Sequence, residues 1–327
     1  MRREPSRVAI QTENLTRDFD AVRAVDQLTF TTERGKVFGF LGPNGAGKTT
    51  TIRLLLGLVP ATSGSAQVLG YDVATQADQI RKRTGVLLEH TGLYERLSAE
   101  DNLDLFGRIW HIDPRERKAR IQDLLTGLDL WDRRNEQVGK WSRGMKQKLA
   151  VARTLLHRPA LVFLDEPTAG LDPLASESLR TSLAQLAQQE GVAIFLTTHN
   201  LAEAEELCQE VAVIRQGKLL AQGTPADLRA QRDAPQLTVV GRGFTQDVVT
   251  LLCERPEVVQ AHISDHVGAG ESAQLVLDLS GNVDTAPIVS LLVESGAEVE
   301  EIRKQRASLA DLFKMLMAED PSNEVAG

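Results

Sequence analysis

Gly42-Pro-Asn-Gly-Ala-Gly-Lys-Thr-Thr50 is the stretch that decides the fold of this chain. It fits the pattern G-x-x-x-x-G-K-[ST], in which glycines let backbone N–H groups turn toward bound phosphates. Lys48 supplies a mobile positive charge, and Thr49 supplies a hydroxyl group for Mg²⁺. A strand-like run precedes the loop and a helix-like run, residues 50–57, follows it. This order predicts a nucleotide phosphate site and disfavours an incidental glycine turn, because a helix N-terminus attracts anions.

A second stretch, Leu161-Val-Phe-Leu-Asp-Glu-Pro167, carries two adjacent carboxylates after four apolar residues. An apolar run of this kind predicts a buried parallel strand. Asp165 and Glu166 would then lie at its carboxyl end, where open α/β sheets bind ligands. One carboxylate can support a metal ion while the other orients an attacking water. The two stretches together predict an α/β fold that acts on nucleotide phosphates.

Composition places the chain among globular proteins with room for two domains. It has 327 residues, of which 42% are hydrophobic and 25% charged. No apolar run approaches the roughly 18 residues that a membrane-spanning helix needs. The basic N-terminus has no apolar segment behind it, so we expect no secretion signal. Cys208 and Cys253 match no metal or redox spacing, which favours packed thiols in a reducing cytoplasm.

Charge is distributed unevenly along the chain. The net charge is −8, and residues 231–327 hold 16 acidic but only 7 basic side chains. This distribution argues against a nucleic-acid partner, because binding to phosphates needs clustered lysine and arginine. It also indicates a domain boundary near residue 230.

The periodicity of apolar residues differs on the two sides of this boundary. Before it, alternation predicts strands at 7–13 and 26–32, and helical spacing predicts a helix at 72–84 and several helices between 98 and 158. After it, the pattern predicts β-α-β-β-α-β, the order of a small ferredoxin-like α+β domain. This accessory domain would span residues 235–318, including a helix from Ser308, and residues 319–327 would be a disordered tail.

A third motif, Trp141-Ser-Arg-Gly-Met-Lys-Gln-Lys148, resembles the signature of ATP-binding cassette (ABC) ATPases, usually written L-S-G-G-Q. Ser142, Gly144 and Met145 take its second, fourth and fifth places. Two further stretches resemble that family. Asp165-Glu-Pro-Thr-Ala-Gly-Leu-Asp172 is similar to its Walker B motif and D-loop, and Thr197-Thr-His199 is similar to the end of its switch strand.

The resemblance covers roughly the first 230 residues and implies a P-loop NTPase fold. It implies an ABC nucleotide-binding domain at 7–230, with a helical subdomain at about 90–145. The nucleotide-binding residues that it implies are Phe19, Gly42, Pro43, Asn44, Gly45, Ala46, Gly47, Lys48, Thr49, Thr50, Ser142, Gly144, Met145 and Asp172. The metal-binding residues would be Thr49, Glu89 and Asp165, and the catalytic residues Glu166, His199 and Lys48. ATP and Mg²⁺ would be the ligands. In the family, the signature of one chain caps the nucleotide of another, which implies a homodimer here.

Three positions leave alternatives open. Glu89 stands where the family usually has the Q-loop glutamine, and it is either a metal contact or a solvated loop acid. Arg143 replaces the first signature glycine, and its side chain points either away from the γ-phosphate or toward it. Phe19 is either the aromatic residue that stacks on adenine or part of the core.

The type of ABC protein follows from the second domain. Its length and its β-α-β-β-α-β order resemble the tail of type-2 ABC exporters, which include drug- and antibiotic-resistance pumps. The resemblance implies an ATPase subunit that powers separate membrane permeases from the cytoplasmic face of the cell membrane. The alternative is a soluble ABC ATPase that acts on ribosomes or DNA, which the acidic tail disfavours.

Overall fold

The computed structural model describes residues 7–230, 236–267, 272–281 and 283–305, together with Phe313. The chain divides into two compact units, Met1–Pro225 and Ala226–Gly327, and each unit has a hydrophobic core. Within the described ranges, no helix combines the length and the apolar character needed to cross a membrane.

The first unit contains both strands and helices. Its strands are β1 (Val8–Phe19), β2 (Val22–Leu28), β3 (Thr31–Glu33), β4 (Val37–Leu41), β5 (Ser63–Val68), β6 (Tyr71–Asp72), β7 (Thr84–Leu87), β8 (Leu161–Asp165), β9 (Ala193–Thr198), β10 (Glu210–Arg215) and β11 (Lys218–Gly223). Its helices are α1 (Lys48–Leu55), α2 (Ala77–Arg81), α3 (Ala99–Ile109), α4 (Pro114–Gly127), α5 (Arg143–Leu155), α6 (Pro173–Glu190) and α7 (Leu201–Leu207), and α8 (Pro225–Ala230) lies at the boundary. Two 3₁₀ helices, Trp131–Arg133 and Val138–Lys140, separate α4 from α5.

A six-stranded sheet in the order β11-β10-β4-β9-β8-β7 leads from β4 into the glycine loop and carries Asp165 at the end of β8. Strands β10, β4, β9, β8 and β7 are parallel, and β11 is an antiparallel edge strand. Strands β4, β8 and β9 are buried at every residue, as expected for parallel strands covered on both faces. The register pairs Leu41 with Thr198 and Asp165 with Thr197. The carboxyl ends of β4, β9 and β8 therefore lie side by side.

Five phenylalanine side chains pack around this sheet. The rings of Phe30, Phe38, Phe40 and Phe163 lie 5.3–6.2 Å from the ring of Phe195, centroid to centroid. All five residues are at most 3% exposed. Each buried aromatic ring stabilises the fold by about 1.5–3 kcal/mol relative to an exposed one, so this cluster fixes the strands that carry the site.

The antiparallel sheet of the first unit departs from the predicted elements. Its order is β2-β1-β5-β6, with β3 also paired to β1. The predicted strand at 26–32 is divided, because the Phe30 N–H donates to the Thr12 hydroxyl at 2.9 Å instead of to a backbone oxygen. The predicted helix at 72–84 is wrong in its first half. There Asp72 accepts hydrogen bonds from the N–H and hydroxyl of Thr75, which form a turn, and α2 begins only at Ala77.

The helical segment begins and ends at residues that the sequence indicates. Ser98 caps α3 by accepting from the Asp101 N–H at 3.0 Å. Asp113 caps α4 with Pro114 in its first turn, a combination that favours the start of a helix. The segment therefore folds as α3, α4 and α5, with a short turn after α3 and the two 3₁₀ helices after α4.

The second unit has its own antiparallel sheet. Its elements are β12 (Gln236–Arg242), α9 (Gln246–Cys253), β13 (Val258–Val267), β14 (Ser272–Leu279), α10 (Ala286–Glu294) and β15 (Glu298–Gln305). The strand order is β13-β14-β12-β15. Leu237 of β12, Leu277 of β14 and Leu292 of α10 are fully buried in its core. The predicted helix from Ser308, apart from Phe313, and the predicted tail at 319–327 lie outside the described residues.

Candidate active site

The glycine loop turns between β4 and α1 and closes around Lys48. Gly47 has a φ of 103°, and a Cβ there would lie 2.3 Å from the backbone oxygen of Ala24, so only glycine fits. Lys48 begins α1 and is 6% exposed. Its Nζ donates hydrogen bonds to the backbone oxygens of Gly42 at 2.8 Å and Pro43 at 3.1 Å. The loop thus holds one buried ammonium group at its centre.

Glu166 lies between Lys48 and His199. Its Oε1 is 3.0 Å from Lys48 Nζ, and its Oε2 is 3.1 Å from His199 Nδ1. The backbone of Glu166 has a φ of 47°, in the left-handed region. Its N–H donates to both the backbone oxygen and the hydroxyl of Thr197, each at 3.0 Å. The chain therefore turns at the end of β8, where the carboxylate meets the lysine from the loop and the histidine after β9.

Opposing effects act on the pKa of Glu166. Burial raises this pKa. The hydrogen bond and the charge of Lys48, and then those of His199, lower the pKa by more than burial raises it. The net pKa lies below the ordinary value for glutamate, so the side chain is ionised at neutral pH. An ionised carboxylate in an open cleft can accept a proton from water.

A second group of oxygen atoms surrounds Asp165. The hydroxyl of Thr49 donates to Asp165 Oδ2 at 2.6 Å, and the hydroxyl of Thr197 donates to Oδ1. Glu89 is 63% exposed, and its Oε1 lies 3.9 Å from Nη2 of Arg53. Hydroxyl and carboxylate oxygens are the ligands that Mg²⁺ prefers. The donor set of Thr49 and Asp165 therefore fits a magnesium ion, with Glu89 at the edge.

An open cleft of about 670 Å³ connects these groups. Of the predicted site residues, its lining includes 44, 45 and 47–50, together with Glu89, Asp165 and Glu166. Ala46, which belongs to the loop, is buried at 2% exposure. His199 and Glu166 also line a smaller adjoining cavity of about 220 Å³. The cleft falls in the size range of small-molecule sites, about 300–1,000 Å³.

Phe19 lies outside the cleft lining. It ends β1 and is 40% exposed, with Cζ of Arg17 4.4 Å from the centre of its ring. Arg17 thus covers one face of the aromatic ring by a cation–π contact. Stacking of adenine on Phe19 stays a prediction.

The predicted signature residues also lie away from the lining of the cleft. Ser142 caps α5 by accepting from the Met145 N–H at 3.3 Å. Gly144 packs against α6, where an added Cβ would lie 3.0 Å from Ala175 Cβ. Asp172 caps α6 by accepting from the Ala175 N–H at 2.9 Å. Their contacts with a nucleotide on a second chain stay predictions.

Arg143 points toward the D-loop of its own chain. A Cβ on Gly170 would lie 2.3 Å from Arg143 Nη1, so the guanidinium rests directly on this glycine. Arg143 also lines the cleft, as does Gln147 one turn along α5. The guanidinium group therefore borders the cleft while it contacts Gly170.

Two residues near the site were missed in the sequence. Gln147 gives no signal, because it follows the signature in an ordinary polar stretch. Glu203 in α7 is fully buried and accepts hydrogen bonds from the hydroxyls of Thr168 and Thr198 at 2.9 and 2.6 Å. It stands four residues before Leu207 on the apolar face of the helix, and an acid on such a face is a detectable signal.

Comparisons with known proteins agree on one family. The sequence model of the family described as "ABC transporter" matches residues 25–169. The chain is 35% identical over 308 residues to the bacitracin transport ATP-binding protein BcrA of Bacillus licheniformis, covering 94% of this chain and 97% of that protein. It is 34% identical to the daunorubicin resistance ATP-binding protein DrrA3 of Streptomyces coeruleorubidus, covering 95% of this chain and 96% of that protein.

A solved structure extends the agreement to the fold. The structure of an ATP-binding subunit of an ABC transporter matches with a TM-score of 0.61 and 32% identity, covering 68% of this chain and 92% of that chain. A dimeric ATP-binding cassette bound to ADP and phosphate, 21% identical, matches with a TM-score of 0.59 over 66% of this chain and 98% of that one. At that lower identity the match shows the fold alone.

Proposed function

We propose that this chain serves an antibiotic-exporting pump. The chain belongs to the ABC transporter family and is an ATP-binding, ATP-hydrolysing subunit of an ABC transporter. The family expected from the motifs is thereby confirmed. The relatives aligned over nearly the whole chain are named for bacitracin transport and daunorubicin resistance, and none supports an action on ribosomes or DNA. An antibiotic-like compound is therefore the proposed cargo.

The position of Glu166 between Lys48 and His199 carries the proposal for hydrolysis. When ATP enters the cleft, its phosphates replace Glu166 as the partner of Lys48. The released carboxylate then accepts a proton from the water that attacks the γ-phosphorus, while the bond from that phosphorus to the bridging oxygen breaks and ADP leaves. His199 holds the other oxygen of Glu166 and would contact the same phosphate.

Mg²⁺ would be held by Thr49 with support from Asp165. The hydroxyl oxygen of Thr49 lies 2.6 Å from Oδ2 of Asp165. When bound, the ion neutralises negative charge on the β- and γ-phosphates. Glu89 lines the same cleft and is proposed as a more exposed contact. Residues 42–50 enclose the phosphates through their backbone N–H groups.

A second copy of the chain would complete each site. Ser142, Gly144, Met145 and Asp172 do not line the cleft of their own chain, which supports a role against the nucleotide of a partner. In a symmetric head-to-tail homodimer, ATP is held by residues of both chains, so binding favours the closed state. Hydrolysis then removes the γ-phosphate and reopens the dimer.

The closing and reopening of the dimer would be transmitted to permease subunits in the membrane. The relatives are ATP-binding proteins of transport and resistance systems, and such a subunit works beside a partner that forms the pathway. We place the chain on the cytoplasmic face of the cell membrane, with the helical segment 90–145 as the docking region. The permease selects the cargo.

Affinity capture from native membranes tests this function. The full-length chain is recovered in mild detergent with ATP, and the accompanying proteins are identified. A multi-helix membrane protein in matching amounts is the expected result, and ribosomal or DNA-associated proteins in its place would refute the exporter proposal. Hydrolysis by the captured complex should stop in EDTA and in the Lys48→Ala variant.

A further inference from the structure

Glu203 is a fully buried carboxylate beside the hydrolysis site. It is 0% exposed, and its two oxygens accept hydrogen bonds from Thr168 at 2.9 Å and Thr198 at 2.6 Å. The structure shows no ion pair to Glu203 among the described residues. Each oxygen atom instead has one hydroxyl donor from a different segment.

Burial of such a group opposes folding. A carboxylate away from water is unfavourable unless it is paired and hydrogen-bonded, and burial accordingly raises the pKa of Glu203. Leucine or alanine would fill this face of α7 without that penalty. The side chain is therefore best explained by what its two hydrogen bonds hold together.

Those hydrogen bonds reach both sides of the catalytic pair. Thr168 lies two residues after Glu166, at the start of the D-loop, and Thr198 immediately precedes His199. The hydroxyl of Thr198 also accepts from the Asn200 N–H at 2.9 Å, so the residues on each side of His199 are held. Across this link, His199 Nδ1 and Glu166 Oε2 are 3.1 Å apart.

We propose that Glu203 is a positioning residue for ATP hydrolysis, which ties the D-loop to the switch strand and thereby holds His199 at Glu166. The inference rests on the proposed roles of these two residues. Glu203 does not touch the nucleotide in this account. It acts through His199, so its effect should depend on His199 being present.

A double-mutant cycle tests this dependence. Glu203→Ala and Glu203→Gln are made in the full-length chain, each alone and with His199→Ala, and single-turnover hydrolysis of radiolabelled ATP is measured. We expect Glu203→Ala to lower the hydrolysis rate about tenfold or more, since a displacement of about 1 Å can reduce catalysis up to about 100-fold. The KM for ATP should change less than about twofold, because no phosphate contact is lost.

Glu203→Gln is the matched control. Its amide oxygen can accept from Thr198 while its N–H donates to Thr168, so the rate should stay within about threefold of the unchanged chain. With His199→Ala present, Glu203→Ala should lower the rate less than about twofold, because residues that act as a unit are not additive.

Two results would overturn the inference. One is a folded Glu203→Ala chain that hydrolyses ATP at the normal rate, and the other is an equal loss with and without His199. If Glu203→Ala fails to fold, Thr198→Val removes one of the two hydrogen bonds at nearly constant volume and is judged by the same criteria. An unchanged chain without ATPase activity would refute the proposed function instead, so the two failures are distinguishable.

Discussion

Replacing Glu166 by glutamine should tighten ATP binding while it stops hydrolysis. Lys48 is paired with Glu166, so the phosphates of ATP must displace a carboxylate before they reach the ammonium group. Glu166→Gln removes the negative charge and keeps the size of the side chain. We expect ATP to bind about tenfold more tightly and the hydrolysis rate to fall by about 10²–10⁴.

The magnitude follows from the geometry of the ion pair. Nζ and Oε1 are 3.0 Å apart, and the side chains are 6% and 25% exposed. Opposite charges 4 Å apart near a protein surface attract by about 4 kcal/mol. Water screens part of this attraction, and the glutamine oxygen still accepts a hydrogen bond from Lys48. A remaining difference of about 1.4 kcal/mol corresponds to a factor of about ten in affinity.

Calorimetric titration with ATP in EDTA measures this affinity without hydrolysis. Low protein concentration keeps dimer formation from adding to the signal. Glu89→Gln is the matched control, since it removes the same charge from the same cleft but lies near Arg53 rather than Lys48. Equal affinity of Glu166→Gln and the unchanged chain, or an equal gain from both variants, would refute the competition between carboxylate and phosphate.

Three further predictions concern the loop, the metal and pH. Gly47→Ala should lower the free energy of unfolding in urea by at least about 2 kcal/mol. At Gly45 an added Cβ meets no atom within 4 Å, so Gly45→Ala should lower it by about 1 kcal/mol. Equal losses would contradict the clash with Ala24. Thr49→Val should raise the Mg²⁺ concentration for half-maximal hydrolysis about tenfold, and Thr49→Ser, which keeps the hydroxyl, should not. Burial raises the pKa of Glu203 in the folded chain. Between the unfolded and the folded pKa, the native state therefore binds more protons than the unfolded state. The free energy of unfolding then falls as pH rises from the unfolded pKa through the folded one. Urea unfolding between pH 5 and 7.5 should therefore show Glu203→Gln gaining stability relative to the unchanged chain as pH rises, and a constant difference would contradict this assignment.

Local patterns predicted much of the first unit, and non-local pairing explains the errors. The order strand, loop and helix around residue 48 is contiguous, and Asp113 and Pro114 give their own capping signal, so both could be read directly. Strand β5 (Ser63–Val68) was missed because its polar sequence has little strand propensity and forms a strand by pairing with β1. In the second unit the predicted order β-α-β-β-α-β is the observed one.

The site was predictable where a motif carries the chemistry. Lys48, Thr49, Asp165, Glu166 and His199 follow from motifs, and the structure brings their side chains together. The direction of a side chain depends on neighbours that are distant in the sequence. The contact between the guanidinium group at position 143 and the D-loop was therefore left open, and the partners of the acid at position 203 were missed.

The left-handed backbone of Glu166 lowers the stability of the fold at the same residue that we propose for ATP hydrolysis. A non-glycine residue in this conformation costs about 1–2 kcal/mol. Glycine would relieve that strain but remove the carboxylate that we propose as the proton acceptor. Stabilising mutations commonly cost activity where function needs a strained active site. A substitution that relaxes the backbone at position 166 is therefore expected to lower ATP hydrolysis.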